Sequence, residues 1–422
     1  MSVKIIKVGS MVNRAIVLAI VIILLAILVF FTKSFLGNSI STQAQNKETA
    51  EFAIMLAPGD SQTRYVLGII GEKSFVPEEL AESESSFEEA TALSPNDYRL
   101  WLALGKVRER NGNAESAELA FQQAKKLAPN YSQVQWVYGN VLLRQGKNKE
   151  AFKEIRSAVE GDSKFAGPAA NAMWQIYEGD IQKIRETIGD SKHVNTALAV
   201  FLITQDKTND AIDIWNTLSP EEKKTDFKEK GEEIYTQLIS NKKFRKALKV
   251  KSDISSEDDQ KFKLSEVDNG GFESKVKTKK ADVFEWNIVA GAKPKISISS
   301  NQKKTGRQSL VIIFKSTKTS DFRTISQTIA VDSGRDYEFS FYHKSELDTS
   351  STVKWEVIDT ASNKVLASTD PVSSNSDWER LAVTFAVPED TEGVKIRMVR
   401  FGCKSQLCPI SGKVWFDDFK IE

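Results

Sequence analysis

The chain has 422 residues, enough for two or three domains, and its 41% apolar content excludes a mostly disordered protein. With 58 basic against 57 acidic residues the net charge is +1, so the overall balance gives no reason to expect a nucleic-acid partner.

Ala15 to Phe31 is an uncharged apolar run of seventeen residues between Arg14 and Lys33. As a helix it rises roughly 26 Å, enough to cross the hydrocarbon core once flanking residues extend it. It has no polar stripe, which argues against a buried helix of a soluble domain. Lys4, Lys7 and Arg14 precede the run and only Lys33 follows closely. The positive-inside rule then makes 1–14 a cytoplasmic N-terminus and 15–32 a single transmembrane helix of the inner (cytoplasmic) membrane. Everything later lies on the periplasmic or extracellular side. A signal peptide cleaved after Thr42 and Ala44 is the competing reading. Against it, the run is longer than the usual signal core and the candidate site lies well beyond it.

Residues 41–250 read as helical. Trp101, Leu104, Gly105, Gly112, Ala117, Phe121, Ala124 and Pro129 predict a helix, a tight turn and a second helix. Small residues stand where the two must approach, and Pro129 stops the second. Shifting by about 34 residues brings Tyr138, Gly139, Gly146, Ala151 and Ala158 into register on one side, and Leu67, Ile70, Gly71, Phe87, Ala90 and Pro95 on the other. The pattern resembles the tetratricopeptide repeat. Ser41 to Ala57 reads as one helix, the second of an incomplete first repeat, and three hairpins in register follow over 64–165. Beyond Gly167 the pattern weakens, but helical pairs continue to Val250, as expected of end units.

The resemblance implies a concave inner face that carries a protein ligand. Arg99, Lys106, Arg110, Trp136, Asn140 and Arg144 project there by position, with Leu102, Glu109 and Gln133, and would suit an acidic or extended peptide. A solvated face of mixed charge is the competing reading, since Glu109 interrupts the basic surface. Residues 251–263 lose the helical pattern and read as a linker.

From 264 to 422 the periodicity alternates. Strands are predicted at 309–314, 337–343, 353–358, 381–387, 394–401 and 414–421, a two-sheet antiparallel sandwich. Asn269 to Glu273 (NGGFE), Trp286, Gly306, Gln327 to Ile329, Tyr337 to Phe341, Trp378 and the closing GKVWFDDFKI of 412–421 come in an order that resembles the jelly-roll carbohydrate-binding modules of bacterial polysaccharide enzymes. The resemblance implies one structural calcium ion (Ca2+) held by Glu273 and Asp417 with backbone carbonyls. Solvation of a strand edge is the competing reading for Asp417 and Asp418. Alternation puts Tyr337, Phe339 and Phe341 in the core and leaves Tyr342 outside. Trp355, Trp378 and Trp415 read as core, and Tyr342, Glu356 and Arg400 as the sugar-facing set. Cys403 and Cys408 read as a loop-closing disulfide, in keeping with an oxidising location.

No GxxxxGK, GxSxG or HExxH string is present, and His193 and His343 fall in different domains. The expected fold class is multidomain: a single transmembrane helix, an all-α tetratricopeptide-type solenoid and an all-β jelly-roll sandwich. The expected function is that of a membrane-anchored, non-enzymatic adaptor of the bacterial cell envelope. Its repeats would dock a protein partner and its sandwich a polysaccharide, in surface polysaccharide synthesis or export. An envelope assembly scaffold in which both domains bind only proteins is the alternative.

Overall fold

The structure, a computed structural model, describes residues 10–256, 262–277, 279–318, 320–348, 351–402 and 407–422. It divides into two compact units, Met1–Val194 and Asn195–Glu422.

In the first unit α1 is one unbroken helix, Met11–Gln43, capped by the Ser10 side chain on the Asn13 amide. It is followed by α2 (Lys47–Leu56), α3 (Ser61–Glu72), α4 (Pro77–Leu93), α5 (Tyr98–Arg110), α6 (Ala114–Leu127), α7 (Ser132–Arg144), α8 (Asn148–Gly161), α9 (Ala166–Ile176) and α10 (Ile181–Ile188). Asn46, Asp60 and Asp97 cap α2, α3 and α5 by accepting a first-turn amide. Each answers one of the donors that a helix start leaves unpaired.

The antiparallel pairs close over bare α-carbons. A β-carbon on Gly105 would lie 2.6 Å from the ring of Phe121, which is fully buried. Gly68 and Phe87 repeat this geometry at 2.6 Å, and Gly139 meets Ile155 in the same way. Gly68, not Gly71, is therefore the counterpart of Gly105, thirty-seven positions earlier. The strict 34-residue register slips by three here because α4 begins three residues earlier than the register places it.

The first repeat differs from its sequence reading. Ser41 to Ala57 is two helices, broken at 44–46, and the C-terminal third of α1 supplies the missing partner of α2. Gly37 abuts Ala53 and Ala57, Ser41 is buried, and the Asn38 side chain donates to Asp60 at 2.7 Å. From Met11 to Phe31 α1 is exposed throughout, although almost every residue is apolar. Among the described residues it is the one helix long and apolar enough to cross a membrane.

The second unit joins helices to the sandwich. Its helices are most of α11 (Lys192–Thr204), then α12 (Thr208–Asn216), α13 (Pro220–Lys224), α14 (Lys228–Ser240) and α15 (Phe244–Ile254). The strands are β1 (Asn287–Ile288), β2 (Lys295–Ser299), β3 (Ser309–Lys318), β4 (Ile325–Ala330), β5 (Asp336–Leu347), β6 (Thr352–Asp359), β7 (Val365–Ser368), β8 (Asn375–Ala386), β9 (Gly393–Phe401) and β10 (Leu407–Ile421). They form two antiparallel sheets, β1-β4-β9-β6-β7 and β2-β3-β10-β5-β8, hereafter the first and second sheet. Phe272, Trp286, Phe339, Phe341, Trp355, Phe416 and Phe419 fill the space between them, with Trp355 and Phe419 centroids 4.8 Å apart.

Two readings of this region need correction. Lys251 to Ile254 is the end of α15 rather than linker, because Ile254 is buried and Asp253 accepts hydrogen bonds from Trp215 and Lys223; residues 257–261 lie outside the described residues. Helical periodicity groups α14 and α15 with the repeats, and they do pack with α12 and α13, but they also touch the sandwich. Phe284 packs with Tyr235, Phe244 and Phe262, and the Phe244 ring lies on Gly393 of β9.

The glycine contacts give a paired expectation. Gly105→Ala forces its new methyl into the Phe121 ring and costs about 1–3 kcal/mol, outweighing the roughly 1 kcal/mol by which alanine favours a helix. Gly167→Ala in α9 meets nothing within 4 Å and is neutral or stabilising. Denaturant unfolding followed by circular dichroism measures both; equal effects would refute the close-approach account.

Candidate functional site

In the sandwich, register and alternation decide which side chains reach solvent. On β6 Val353, Trp355 and Val357 face the core, so Thr352, Lys354 and Glu356 face outward. On β9 Val394, Ile396 and Met398 face in, which turns Lys395, Arg397, Val399 and Phe401 outward. The pairings Glu356 with Arg397, Lys354 with Val399 and Thr352 with Phe401 bring these residues onto one surface.

There the Glu356 carboxylate accepts from Arg397 Nε at 3.1 Å and Nη2 at 2.9 Å. Lys354 Nζ lies 3.4 Å from Glu356 Oε1, donates to Ser368 Oγ at 3.2 Å and sits 5.7 Å from the centroid of the Phe401 ring. Phe401 is 45% exposed. The outer face of the first sheet thus offers a flat ring beside planar, mutually oriented charged groups, a combination that can stack on a sugar ring and hydrogen-bond its hydroxyls. The other end of this face is closed. The Phe244 ring lies on Gly393, α15 packs against β4, and Thr328, outward by register, is buried.

The three residues expected to form a sugar-facing set are not brought together. Glu356 belongs to the surface just described. Tyr342 is on β5 in the second sheet, opposite Asp417 and Arg380, with Lys304 Nζ 4.7 Å above its ring. Arg400 has the parity of Ile396 and Met398, and it donates to the Lys318 and Cys408 carbonyls at the end of the sandwich. These bonds make it a structural clamp, and burial pushes its pKa down. The misplacement has a local cause: in VKIRMVRF the adjacent Met398 and Val399 blur the parity. Arg397, Lys354 and Phe401 were missed for a different reason: their shared face appears only once β9 is paired with β6. Trp355 is in the core as expected. Trp415 is buried but projects from the outer side of its sheet, because Val414 and Phe416 point inward, and Trp378 is only half-buried.

Glu273 and Asp417 stand on either side of one glycine. Beside the bare α-carbon of Gly271, a β-carbon would lie 3.7 Å from Asp417 Oδ1 and 3.8 Å from Glu273 Cγ. One loop serves both carboxylates. The amides of Lys304 and Thr305 donate to Asp417 at 2.7 and 2.9 Å, and those of Arg307 and Gln308 donate to Glu273 at 2.7 and 3.0 Å. The amides hold Glu273 below the usual carboxylate range, whereas burial pushes Asp417 upward. The two side chains flank one bare α-carbon with oxygens that already accept these amides, and a hard cation would have to draw on the lone pairs that remain. Cys403 lies outside the described residues, so its pairing with Cys408 does too. His343 is fully buried in the sandwich and burial lowers its pKa, so it presents no acid or base to a ligand.

In the first unit, the residues expected to line a basic groove are largely engaged within the chain. Arg99 pairs with Asp97 at 2.6 Å, Arg144 grips Glu109 at 2.7 and 2.9 Å, and Arg110 donates to the Glu72 and Ser74 carbonyls. Lys106 remains exposed. Trp136 stacks on Phe165 at 5.3 Å, and Asn140 donates to the Trp136 carbonyl at 2.8 Å. Glu109, the residue that broke the basic pattern, is what fixes Arg144.

Comparison with known proteins agrees with this layout. Residues 78–132 match the family described as tetratricopeptide repeat, and residues 265–399 the family described as carbohydrate binding domain. A curated relative, the cell division cycle protein 27 homolog of Caenorhabditis elegans, is 35% identical over 71 residues, which is 17% of this chain and 9% of that protein. The chain therefore spans less than a tenth of that relative's length. Among solved structures, one described as "CBM4 structure and function" is 20% identical over 37% of this chain and 98% of its own, with a TM-score of 0.28. Another, described as "Functional Characterization of Pseudomonas Aeruginosa pilF", is 15% identical over 44% of this chain and 88% of its own, with a TM-score of 0.32. The chain combines tetratricopeptide repeats with a β-sandwich of the carbohydrate-binding-module type.

Proposed function

We propose that this protein is a membrane-anchored, non-enzymatic adaptor of the cell envelope whose repeats dock a protein and whose sandwich holds a glycan of a surface polysaccharide. The observation that carries the glycan reading is the Phe401–Lys354–Glu356–Arg397 surface, within a domain that matches a carbohydrate-binding family. Because α15 closes one end of that face, the glycan lies across β6 and β9 toward Phe401. The scaffold reading, with proteins as the sole partners, draws support from the same face: its aromatic platform is a single phenylalanine. Glycan-array binding by the full chain in nanodiscs separates the two. Phe401→Ala and Glu356→Ala each weaken binding at least about tenfold, while Tyr342→Ala leaves it unchanged. Silence across plant, bacterial and host glycans would favour the scaffold.

The anchor is favoured over a cleaved signal peptide by what cleavage would remove. A mature chain starting near Gln45 would lose Gly37, Asn38 and Ser41, and with them the helix that covers Ala50 and Ala53 of α2. The expected product is the full-length mass in a membrane fraction of the inner membrane, with the later domains outside the cytoplasm; an N-terminus near residue 45 would rule the anchor out.

The Glu273–Asp417 cradle is proposed to take one calcium ion, which would draw together the start of the sandwich, the 304–308 loop and β10. Calcium at 100 times its dissociation constant adds about 2.7 kcal/mol, a rise of roughly 5 °C in melting temperature. Glu273→Gln abolishes the rise. A melting temperature indifferent to both calcium and chelator would remove the proposal.

A further inference from the structure

We infer that the end of the first hairpin nearest the apolar helix is a lipid-contact surface, with Phe35, Leu36, Phe52 and Met55 seated in the headgroup region of a bilayer. The inference rests on the reading of α1 as a membrane span. It adds that the first repeat itself touches the membrane, where a simple tether would hold the repeat clear of it.

The geometry follows from the unbroken α1. Gly37 abuts Ala53 and Ala57, so the last turn of α2 lies level with residue 37. That is five residues beyond Thr32, or roughly 7.5 Å along the helix, which is within the interfacial layer when the span ends near Thr32. At this level Phe35 is 71%, Met55 77% and Phe52 50% exposed, and Leu36 is also exposed. Scattered apolar residues on a surface need no explanation. These four share one level of the hairpin, however, and that level adjoins the exposed apolar surface that runs from Met11 to Phe31.

Charge supports the same occupant. Among residues 33–38 and 52–59 the one charged side chain is Lys33, whose sign suits anionic headgroups. Asp60, the first carboxylate beyond, accepts from the Asn38 side chain and the Gln62 amide. Glu48 and Glu51 stand nearer the opposite end of α2.

The test places a photoreactive residue in the full chain, reconstituted in nanodiscs of phosphatidylcholine and phosphatidylglycerol, with lipid adducts read by mass spectrometry. The substitutions are Leu24→p-benzoylphenylalanine in α1, Met55→p-benzoylphenylalanine in the patch and Leu119→p-benzoylphenylalanine on the exposed side of α6. Adducts are expected at 24 and 55, with the yield at 55 at least about tenfold above that at 119. Lipid adducts at 24 with none at 55 would overturn the inference and leave the anchor standing. A protein adduct at 55 in place of lipid would also overturn it and assign the patch to a second copy or another protein. Absence of adducts at 24 would overturn the anchor and this inference together. A double substitution, Phe35→Ser with Met55→Ser, gives an independent reading. It is expected to raise protease access to the 57–60 turn of the reconstituted protein severalfold while leaving far-UV ellipticity unchanged; unchanged access would count against the contact.

Discussion

Both units are held by large side chains seated on bare α-carbons. Phe87 lies on Gly68, Phe121 on Gly105, Ile155 on Gly139, Trp215 with Ile254 on Gly231, and Phe244 on Gly393. Each contact lets two elements approach closer than any side chain on the glycine would permit. The ring or aliphatic group then contributes dispersion over a whole face instead of an edge. In the repeats this sets the spacing within each hairpin. In the second unit the same device joins α14 to α12 and α15 at Gly231 and seats α15 on the sandwich at Gly393, so α15 does more than end a repeat array: it closes part of one sheet.

That closure shapes the site. The first sheet has its outer surface covered where Phe244 meets Gly393 and open around Phe401, Lys354, Glu356 and Arg397. The ion pair between Glu356 and Arg397 holds both side chains in place relative to each other. The second sheet carries the Glu273–Asp417 cradle, with its buried carboxylate held by amides of a single loop. The two surfaces have separate chemistry, one open and mixed in charge, the other a pair of carboxylates held by backbone amides.

Electrostatics in the repeats run against the simplest reading of their composition. Four basic residues at positions of one face suggest a cationic groove, yet Arg99, Arg110 and Arg144 each have acceptors within the chain. The Arg144–Glu109 pair links successive hairpins, and Arg110 ties α5 to the preceding turn. Arg110 and Arg144 thus bridge neighbouring hairpins, Arg99 is held at its own helix start, and Lys106 stays exposed. At the other end of the unit, α1 passes without a break from exposed apolar residues into the first hairpin, so the orientation of that hairpin is coupled to the axis of the helix.

The amino-acid sequence by itself determined the hairpins of residues 98–165, the alternating core of Tyr337, Phe339 and Phe341, the burial of Trp355 and the nearness of Glu273 to Asp417. Each of these depends on local periodicity or on a motif that repeats a known arrangement. Tertiary structure decided the rest. The partner of Gly105 thirty-seven rather than 34 positions back, the helix that completes the first repeat and the docking of α15 on the sandwich all depend on contacts between distant segments, which no local pattern encodes. The candidate sugar surface shows why most plainly. Alternation assigns a side chain to one of two sides of a strand, but two sheets have four faces. Only the pairing of β6 with β9 sets Glu356 beside Arg397 and sends Tyr342 to the other sheet.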